Sequence, residues 1–182
     1  MKTILHVGCG GQHILGQAGF PADEWREVRL DICPDVQPDI VANMVDMRPV
    51  ADASVDAVYS CHNIEHLYWH EAQAALREFY RVLRPGGYAL VICPDVQAVA
   101  ELVAQGKLLE PAYHTGAGYG IAPVDMLWGW RVMLEQGKDY MAHKCGYTLD
   151  TLTQALKEAG FASVDGKCGG YTLTCKAIKG GA

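Results

Sequence analysis

The chain has 182 residues, half of them hydrophobic and a fifth charged, the composition of one ordinary globular domain with material for a real core. Its formal charge of -6 and scattered basic residues argue against a nucleic acid as main partner, because phosphate contacts require clustered Lys and Arg. No run of about 18 apolar residues is present to span a bilayer, and Met1-Lys2-Thr3 passes straight into a strand-like segment without a secretion signal, so a cytoplasmic protein with no membrane partner is expected.

The first strand is predicted over residues 3–7 and runs into the glycine turn Gly8-Cys9-Gly10-Gly11, behind which a helix is expected to start. Such a turn lets main chain approach a ligand closely and aims N–H groups at it. The dinucleotide pattern G-x-G-x-x-G fails at its third position, which is His13. A second strand over 27–30 ends at Asp31, where a carboxylate can accept hydrogen bonds from both hydroxyls of a ribose. That arrangement suits NAD as well as other adenosyl cofactors.

Further strands are predicted over 40–45, 57–60 and 88–93, apolar enough to lie inside a parallel sheet. Between the last two, Leu76, Phe79, Tyr80 and Leu83 form one apolar stripe of a helix over 70–82, stopped by Pro85-Gly86-Gly87. Residues 94–146 break the alternation. There "PAYHTGAGYGIAP" reads as loop and "VDMLWGWRVMLEQG" as one helix, whose Met126, Leu127, Trp130, Met133 and Leu134 recur at helical spacing. Trp128 and Trp130 cannot share that stripe, so the helix offers core packing, an apolar substrate wall, or a face for a second copy of the chain as a homodimer. Thr148 is the expected N-cap of a helix through Ala159, with Leu149, Leu152 and Leu156 inward and Gly160 at its exit. The closing strands, 162–164 and 172–178, are joined by "DGKCGG", too short for a parallel crossover, so this pair should be antiparallel. The seven cysteines include no C-x-x-C pair and are expected to be reduced, mostly as small core hydrophobes.

The stretches "HVGCG", "RLDI", "NMVDM", "VDAVYSCHNIEHL" and "LREFYRVLRPGGYALVICPD" follow one another over residues 4–94. Together they resemble the class I S-adenosylmethionine-dependent methyltransferases, in particular small enzymes with an "LRPGG"-type turn, here Leu83-Arg84-Pro85-Gly86-Gly87. The tail "HKCGYTLDTLTQALKEAGFASV" is similar to that family's last helix and strand. The resemblance implies a Rossmann-like, seven-stranded, mostly parallel sheet with a reversed last strand and helices on both faces, and S-adenosylmethionine as cofactor. It places Gly8, Cys9 and Gly10 along the methionyl and ribose part of the cofactor, Asp31 on the ribose hydroxyls, Asp46 and Met47 beside the adenine, and Cys61 at the amino acid moiety. It departs from the family at His6, where an acidic residue is usual; this keeps a non-catalytic cofactor-binding module beside the enzyme as an alternative.

Methyl transfer to a hydroxyl or amine requires a held nucleophile and a proton acceptor. Candidates at the carboxyl ends of the fourth and fifth strands are His62, Glu65, His66 and Asp95, with His62 preferred for its near-neutral titration. His143, Tyr113, His114, Tyr119 and Asp125 are candidates for a lid or substrate wall. A competing reading takes His62-Asn63-Ile64-Glu65-His66 as the H-x-x-E-H signature of an inverted zinc peptidase, with Glu135 as a distant third ligand; it leaves the glycine turn, Asp31 and "LRPGG" unexplained. A dehydrogenase is the remaining alternative. The reading adopted is one methyltransferase domain over 1–182, acting on oxygen or nitrogen of a small-molecule acceptor, with 95–146 inserted as acceptor-site or lid region and no metal. With no segment ahead of the first strand, the acceptor pocket is expected to be open or completed by a second subunit.

Overall fold

In the computed structural model, which describes residues 1–17 and 19–181, the apolar segments assemble into a seven-stranded sheet. Its members are β1 (Lys2–Val7), β2 (Trp25–Asp31), β3 (Ile40–Val41), β4 (Val55–Cys61), β5 (Leu83–Pro94), β8 (Ser163–Gly169) and β9 (Thr172–Ile178), ordered β3-β2-β1-β4-β5-β9-β8. A separate hairpin is formed by β6 (Tyr113–His114) and β7 (Gly120–Ile121). The helices are α1 (Trp69–Val82), α2 (Val96–Ala104), α3 (Pro123–Trp128), α4 (Arg131–Glu135) and α5 (Leu149–Glu158). Pairing is parallel from β3 across to β5, and β9 runs antiparallel to both β5 and β8, giving the reversed last strand expected from the short closing connection.

Side-chain alternation along the strands divides the core. Leu5, Val7, Val58, Ala89, Val91, Leu173 and Cys175 point to the face covered by α1 and α5, where they meet Leu76, Phe79, Leu152 and Leu156 in the main cluster. Of the α1 stripe predicted from sequence, Leu76 and Phe79 are buried together with Ala72, Ala75 and Val82, while Tyr80 is partly buried and Leu83 already begins β5; Thr148 caps α5 as expected. Gly87 has to be glycine, because a β-carbon there would sit 2.9 Å from the carbonyl oxygens of Arg84 and Asp56. The "LRPGG" segment is therefore threaded into the start of β5, with a register irregularity opposite it between Val55 and Ala57.

The opposite face carries a smaller cluster of Ile4, Ile14, Phe20, Trp25 and Ala57. The helix expected behind the glycine turn does not form: the described residues between β1 and β2, 8–17 and 19–24, are turns and irregular chain, and the β2–β3 connection holds only a short 3-10 turn, Pro34–Val36. Gly8, Gly10, Gly11, Gly16 and Gly19 explain the first, since each interior glycine costs a helix about 1 kcal/mol relative to Ala. At this crossover the helical cover expected on both faces is supplied by the plug of Ile14 and Phe20. Two further expectations are corrected. The third strand is only Ile40–Val41, because Asn43 turns the chain, accepting an N–H from Asp46 at its carbonyl and one from Val45 at its side chain. The single Met- and Trp-rich helix is split into α3 and α4 at Gly129, whose φ of 102° and contact with the Met141 carbonyl exclude a side chain. All seven cysteines are free, with Cys9, Cys93 and Cys175 buried. Among the described residues no helix is long and apolar enough to cross a membrane.

Candidate functional site

The chain leaves β1 for β2 on one side of the sheet and returns to β4 on the other, so the carboxyl ends of β1 and β4 form the switch point where open α/β sheets bind ligands. Gly8 and Gly10 there have φ of 62° and 51°. At positions 10 and 11 a β-carbon would meet no atom within 4 Å, so the main chain lies open to an approaching molecule. Gly8 is crowded instead: a β-carbon would come 2.5 Å from Nδ2 and 2.9 Å from Cβ of Asn63. Asn63 is buried and acts as a strut, its Nδ2 donating to the Val7 carbonyl at 2.6 Å and its Oδ1 accepting from Ser60 Oγ at 2.5 Å. It fastens the end of β4 to the turn after β1.

The turn is held from the other side by two charged residues of β2. Arg29 is buried and donates to the carbonyls of Gly10 (2.5 Å), Gln12 (3.2 Å), Val36 (3.1 Å) and Gln37 (2.9 Å), tying the glycine loop to the loop after β2. Glu27 accepts from His6 Nδ1 at 2.8 Å and from the Ile14 N–H at 3.2 Å, with His13 Nδ1 at 3.1 Å. Because a carboxylate only accepts, His6 carries its proton on Nδ1. Burial lowers the His6 pKa, and Glu27 only partly offsets this. An acidic group from the neighbouring strand thus lies against position 6.

Asp31 ends β2 beside the turn, its Oδ2 accepting from the Gly10 N–H at 2.8 Å and its Oδ1 from the Cys33 N–H at 2.9 Å. Each oxygen retains a lone pair for a hydroxyl donor. Asp46 lies on an open groove lined by Val41, Ala42, Asn43, Arg48 and Pro49, and pairs with Arg48 at 2.7 Å. Met47 is fully buried in the main core, with its N–H given to Glu78 and its carbonyl taken by Arg81, so no side chain of Met47 faces the groove. Cys9 is buried behind the turn, and burial raises its thiol pKa. Cys61 closes β4 in register with Ile92, and burial raises its thiol pKa also, leaving main chain as its polar offering. The bare turn, the carboxylate beside it and the groove beyond fit a nucleoside-bearing cofactor laid along this edge.

His62 follows Cys61 with a φ of 51°, an unusual value for a residue with a side chain, and its imidazole is half-exposed. Its Nδ1 lies 3.5 Å from Oε1 of Glu65. Glu65 is 1 % exposed, and among the described residues neither of its carboxylate oxygens has a hydrogen-bond partner. Residues 64–66 form a 3-10 turn rather than an α-helix, so the two histidines of H-x-x-E-H are not stacked one α-helical turn apart, and Glu135 is exposed on α4 and outside their cluster. What joins Glu65 and His66 is His143, one ligand atom from each lying within 4.8 Å of the others. Burial lowers the His143 pKa, against the opposing pull of Glu65.

Two other predicted site residues, Asp95 and Asp125, hold local structure. Asp95 is buried and caps α2, accepting from the N–H groups of Gln97 and Ala98. Asp125 is buried, accepts the Ala122 N–H and holds Arg131 through both oxygens; burial alone would raise its pKa, and these bonds reverse that to a net lowering. Tyr113 and Tyr119 are exposed, the first stacked on Tyr171 and the second edge-on to Trp130, and His114 is exposed beside them. Trp128 is exposed on α3. Arg29, Glu27 and Asn63 escape a reading of the sequence, although two charges inside a strand buried on both faces are a signal, since buried charges must be paired.

Residues 5–91 match the family model described as a methyltransferase domain. A probable S-adenosylmethionine-dependent methyltransferase of Mycolicibacterium smegmatis is 38% identical over 108 residues, covering 52% of this chain and 38% of that protein. A malonyl-[acyl-carrier protein] O-methyltransferase of Dechloromonas aromatica is 33% identical over 92 residues, covering 46% of this chain and 33% of its own length. The chain thus spans well under half the length of either curated relative. Among solved structures, an O-methyltransferase family protein from Burkholderia thailandensis superposes with a TM-score of 0.66 at 12% identity, over all of this chain and 52% of its own. A 1,6-didemethyltoxoflavin-N1-methyltransferase of the same organism, solved with S-adenosylhomocysteine, gives 0.60 at 15% identity over 98% of this chain and 71% of its own.

Proposed function

We infer that this chain, whose residues 5–91 match a methyltransferase domain and which is similar to a probable S-adenosylmethionine-dependent methyltransferase, transfers a methyl group from S-adenosylmethionine to an oxygen or nitrogen of a small-molecule acceptor. The observation that supports this best is the open main chain at Gly10 and Gly11 set beside the Asp31 carboxylate at the switch point. When bound, S-adenosylmethionine supplies a methyl group on a sulfonium that leaves as a neutral thioether. Gly8, Cys9 and Gly10 would lie along its methionyl and ribose part, Asp31 would accept from the ribose hydroxyls, Asp46 would flank the adenine from the groove, and Cys61 would offer main chain to the amino acid end. The buried Met47 side chain shapes the wall behind that groove only through the core.

The remaining work is placement and proton removal. Residues 95–146 form the acceptor wall, with the exposed Tyr113, Tyr119 and Trp128 giving it apolar surface. His62, half-exposed at the mouth with Glu65 3.5 Å behind it, takes the proton from an acceptor hydroxyl or protonated amine. A methyl-transfer assay on a panel of small hydroxyl and amino acids, phenols and amines tests the reading. Transfer to at least one acceptor is expected, with His62→Gln lowering kcat about 10²–10⁴-fold at unchanged affinity for S-adenosylhomocysteine; binding without transfer to any acceptor would favour a non-catalytic module.

A further inference from the structure

The methyl-transfer reading sets Glu65 behind His62 but leaves both of its carboxylate oxygens without a hydrogen bond in the interior. Such a placement is unfavourable unless a cation or hydrogen bonds compensate it. Among the described residues neither an Arg nor a Lys pairs with it; three imidazoles lie close to it, His62 at 3.5 Å and the His66 and His143 of the 4.8 Å cluster.

The orientation of two of these rings is fixed by main chain. His143 Nδ1 faces the Met126 carbonyl at 2.9 Å, and His66 Nδ1 faces the Ala142 carbonyl at 3.3 Å. A carbonyl only accepts, so in both rings Nδ1 bears the hydrogen and Nε2 is left with a free lone pair. One nitrogen of each ring lies within 4.8 Å of the other ring's and of a Glu65 oxygen, and a histidine anchored through Nδ1 to a backbone carbonyl has its second nitrogen free to ligate a metal. The chain supports this placement twice more: the Lys144 and Cys145 N–H groups bind the Glu65 carbonyl, pinning the 142–145 segment against the end of β4. A cavity with room for one water is lined by Glu65, His143, Cys145 and Tyr147. The buried Tyr147 hydroxyl beside it also lacks a hydrogen bond among the described residues, with the Cys145 thiol as its neighbour.

We propose that Glu65, His66 and His143 bind a zinc-class divalent cation, with a water in the fourth position. Two imidazoles and a carboxylate suit zinc and its neighbours over calcium or magnesium, which demand more oxygens. Tetrahedral zinc separates its ligand atoms by about 3.3 Å, given bonds of about 2.0–2.1 Å, so the cluster closes on the ion by small side-chain shifts. This is not the peptidase site of the sequence pattern: Glu65 is a ligand rather than a base, and the third ligand comes from beyond α4. The ion would tie the exit of β4, which carries His62, to the segment that forms the acceptor wall, and so set the distance between proton acceptor and acceptor pocket.

The test uses the full chain, stripped of metal with a chelator and titrated with Co²⁺, followed by displacement with Zn²⁺. One equivalent of Co²⁺ per chain is expected, with a visible d–d absorption band that Zn²⁺ abolishes. Glu65→Gln and His143→Asn should each weaken binding by more than the 10–100-fold that loss of a supporting partner costs. Melting temperature supplies a second readout: Zn²⁺ should raise it in the wild type and raise it far less in Glu65→Gln and His143→Asn. Absence of stoichiometric binding in the wild type, or binding undiminished in both variants, overturns the proposal. S-adenosylhomocysteine titration of the same samples keeps the readings apart, since loss of that binding alone would strike at the methyltransferase assignment and not at the metal site.

Discussion

Replacing Gly8 by Ala tests whether the glycine turn is held by Asn63 as described. The substitution acts twice. A φ of 62° places Ala in the left-handed region, at a cost of roughly 1–2 kcal/mol. The new methyl group would also sit 2.5 Å from Asn63 Nδ2 and 2.9 Å from its Cβ and Cγ, too near for either side to remain in place. If Asn63 moves, its bonds to the Val7 carbonyl and the Ser60 hydroxyl break inside the protein, and stranded buried groups cost about 1–3 kcal/mol. The expected loss is about 2–5 kcal/mol, a large part of the roughly 5–15 kcal/mol that holds a typical domain folded. Urea denaturation measures it, and a double-mutant cycle with Asn63→Gly separates its parts. With Asn63 cut back to Gly, its Nδ2, Cγ and Cβ are all removed and the clash is gone, so Gly8→Ala should then cost only the backbone strain, about 1–2 kcal/mol. Additive penalties, or a single-variant loss below about 1 kcal/mol, would refute the strut.

Arg29→Met keeps the stem but removes the donors to four carbonyls; it should cost about 3 kcal/mol or more by urea denaturation and weaken S-adenosylhomocysteine binding, because Gly10 and Gln12 lose their tether. Acid should destabilise the protein through His6. Above the ordinary histidine value of 6.5 its imidazole is neutral folded and unfolded; below it the unfolded chain takes up a proton that the buried ring, facing Arg29 and His13 as well as Glu27, resists. Stability is therefore lost as pH falls from 6.5 through the lowered folded value, by at most about 1.4 kcal/mol per pH unit. Denaturation midpoints between pH 8 and 5 should show this fall and His6→Gln should flatten part of it, His143 contributing with the same sign; a midpoint that rises on acidification would contradict the buried neutral imidazole.

The sheet is legible in the sequence because its signals are local: apolar runs of strand length, an α1 stripe at helical spacing, and a final connection too short to cross over. Strand 172–178 has the same bounds in both readings, since Leu173, Cys175 and Ala177 alternate cleanly with Thr172, Thr174 and Lys176. The helix expected behind Gly8 fails because five glycines outweigh a family pattern, and the single Met- and Trp-rich helix fails because periodicity does not register a required positive φ at Gly129. Asp31 announces itself by its place at a strand end. Arg29 and Glu27 do not, since the alternation of "WREVRLD" reads as a solvated face until residues 10–14 fold over it. His143 lies 77 positions beyond His66, and only the folded chain sets them side by side.

Calorimetric titration with S-adenosylhomocysteine, run beside NADH on the wild type and on Asp31→Ala, bears most directly on the cofactor assignment. The account predicts one S-adenosylhomocysteine per chain, no NADH binding, and an affinity at least tenfold lower in the variant, equivalent to about 1.4 kcal/mol. NADH binding without S-adenosylhomocysteine binding, or an affinity unchanged by the loss of the Asp31 carboxylate, would contradict it.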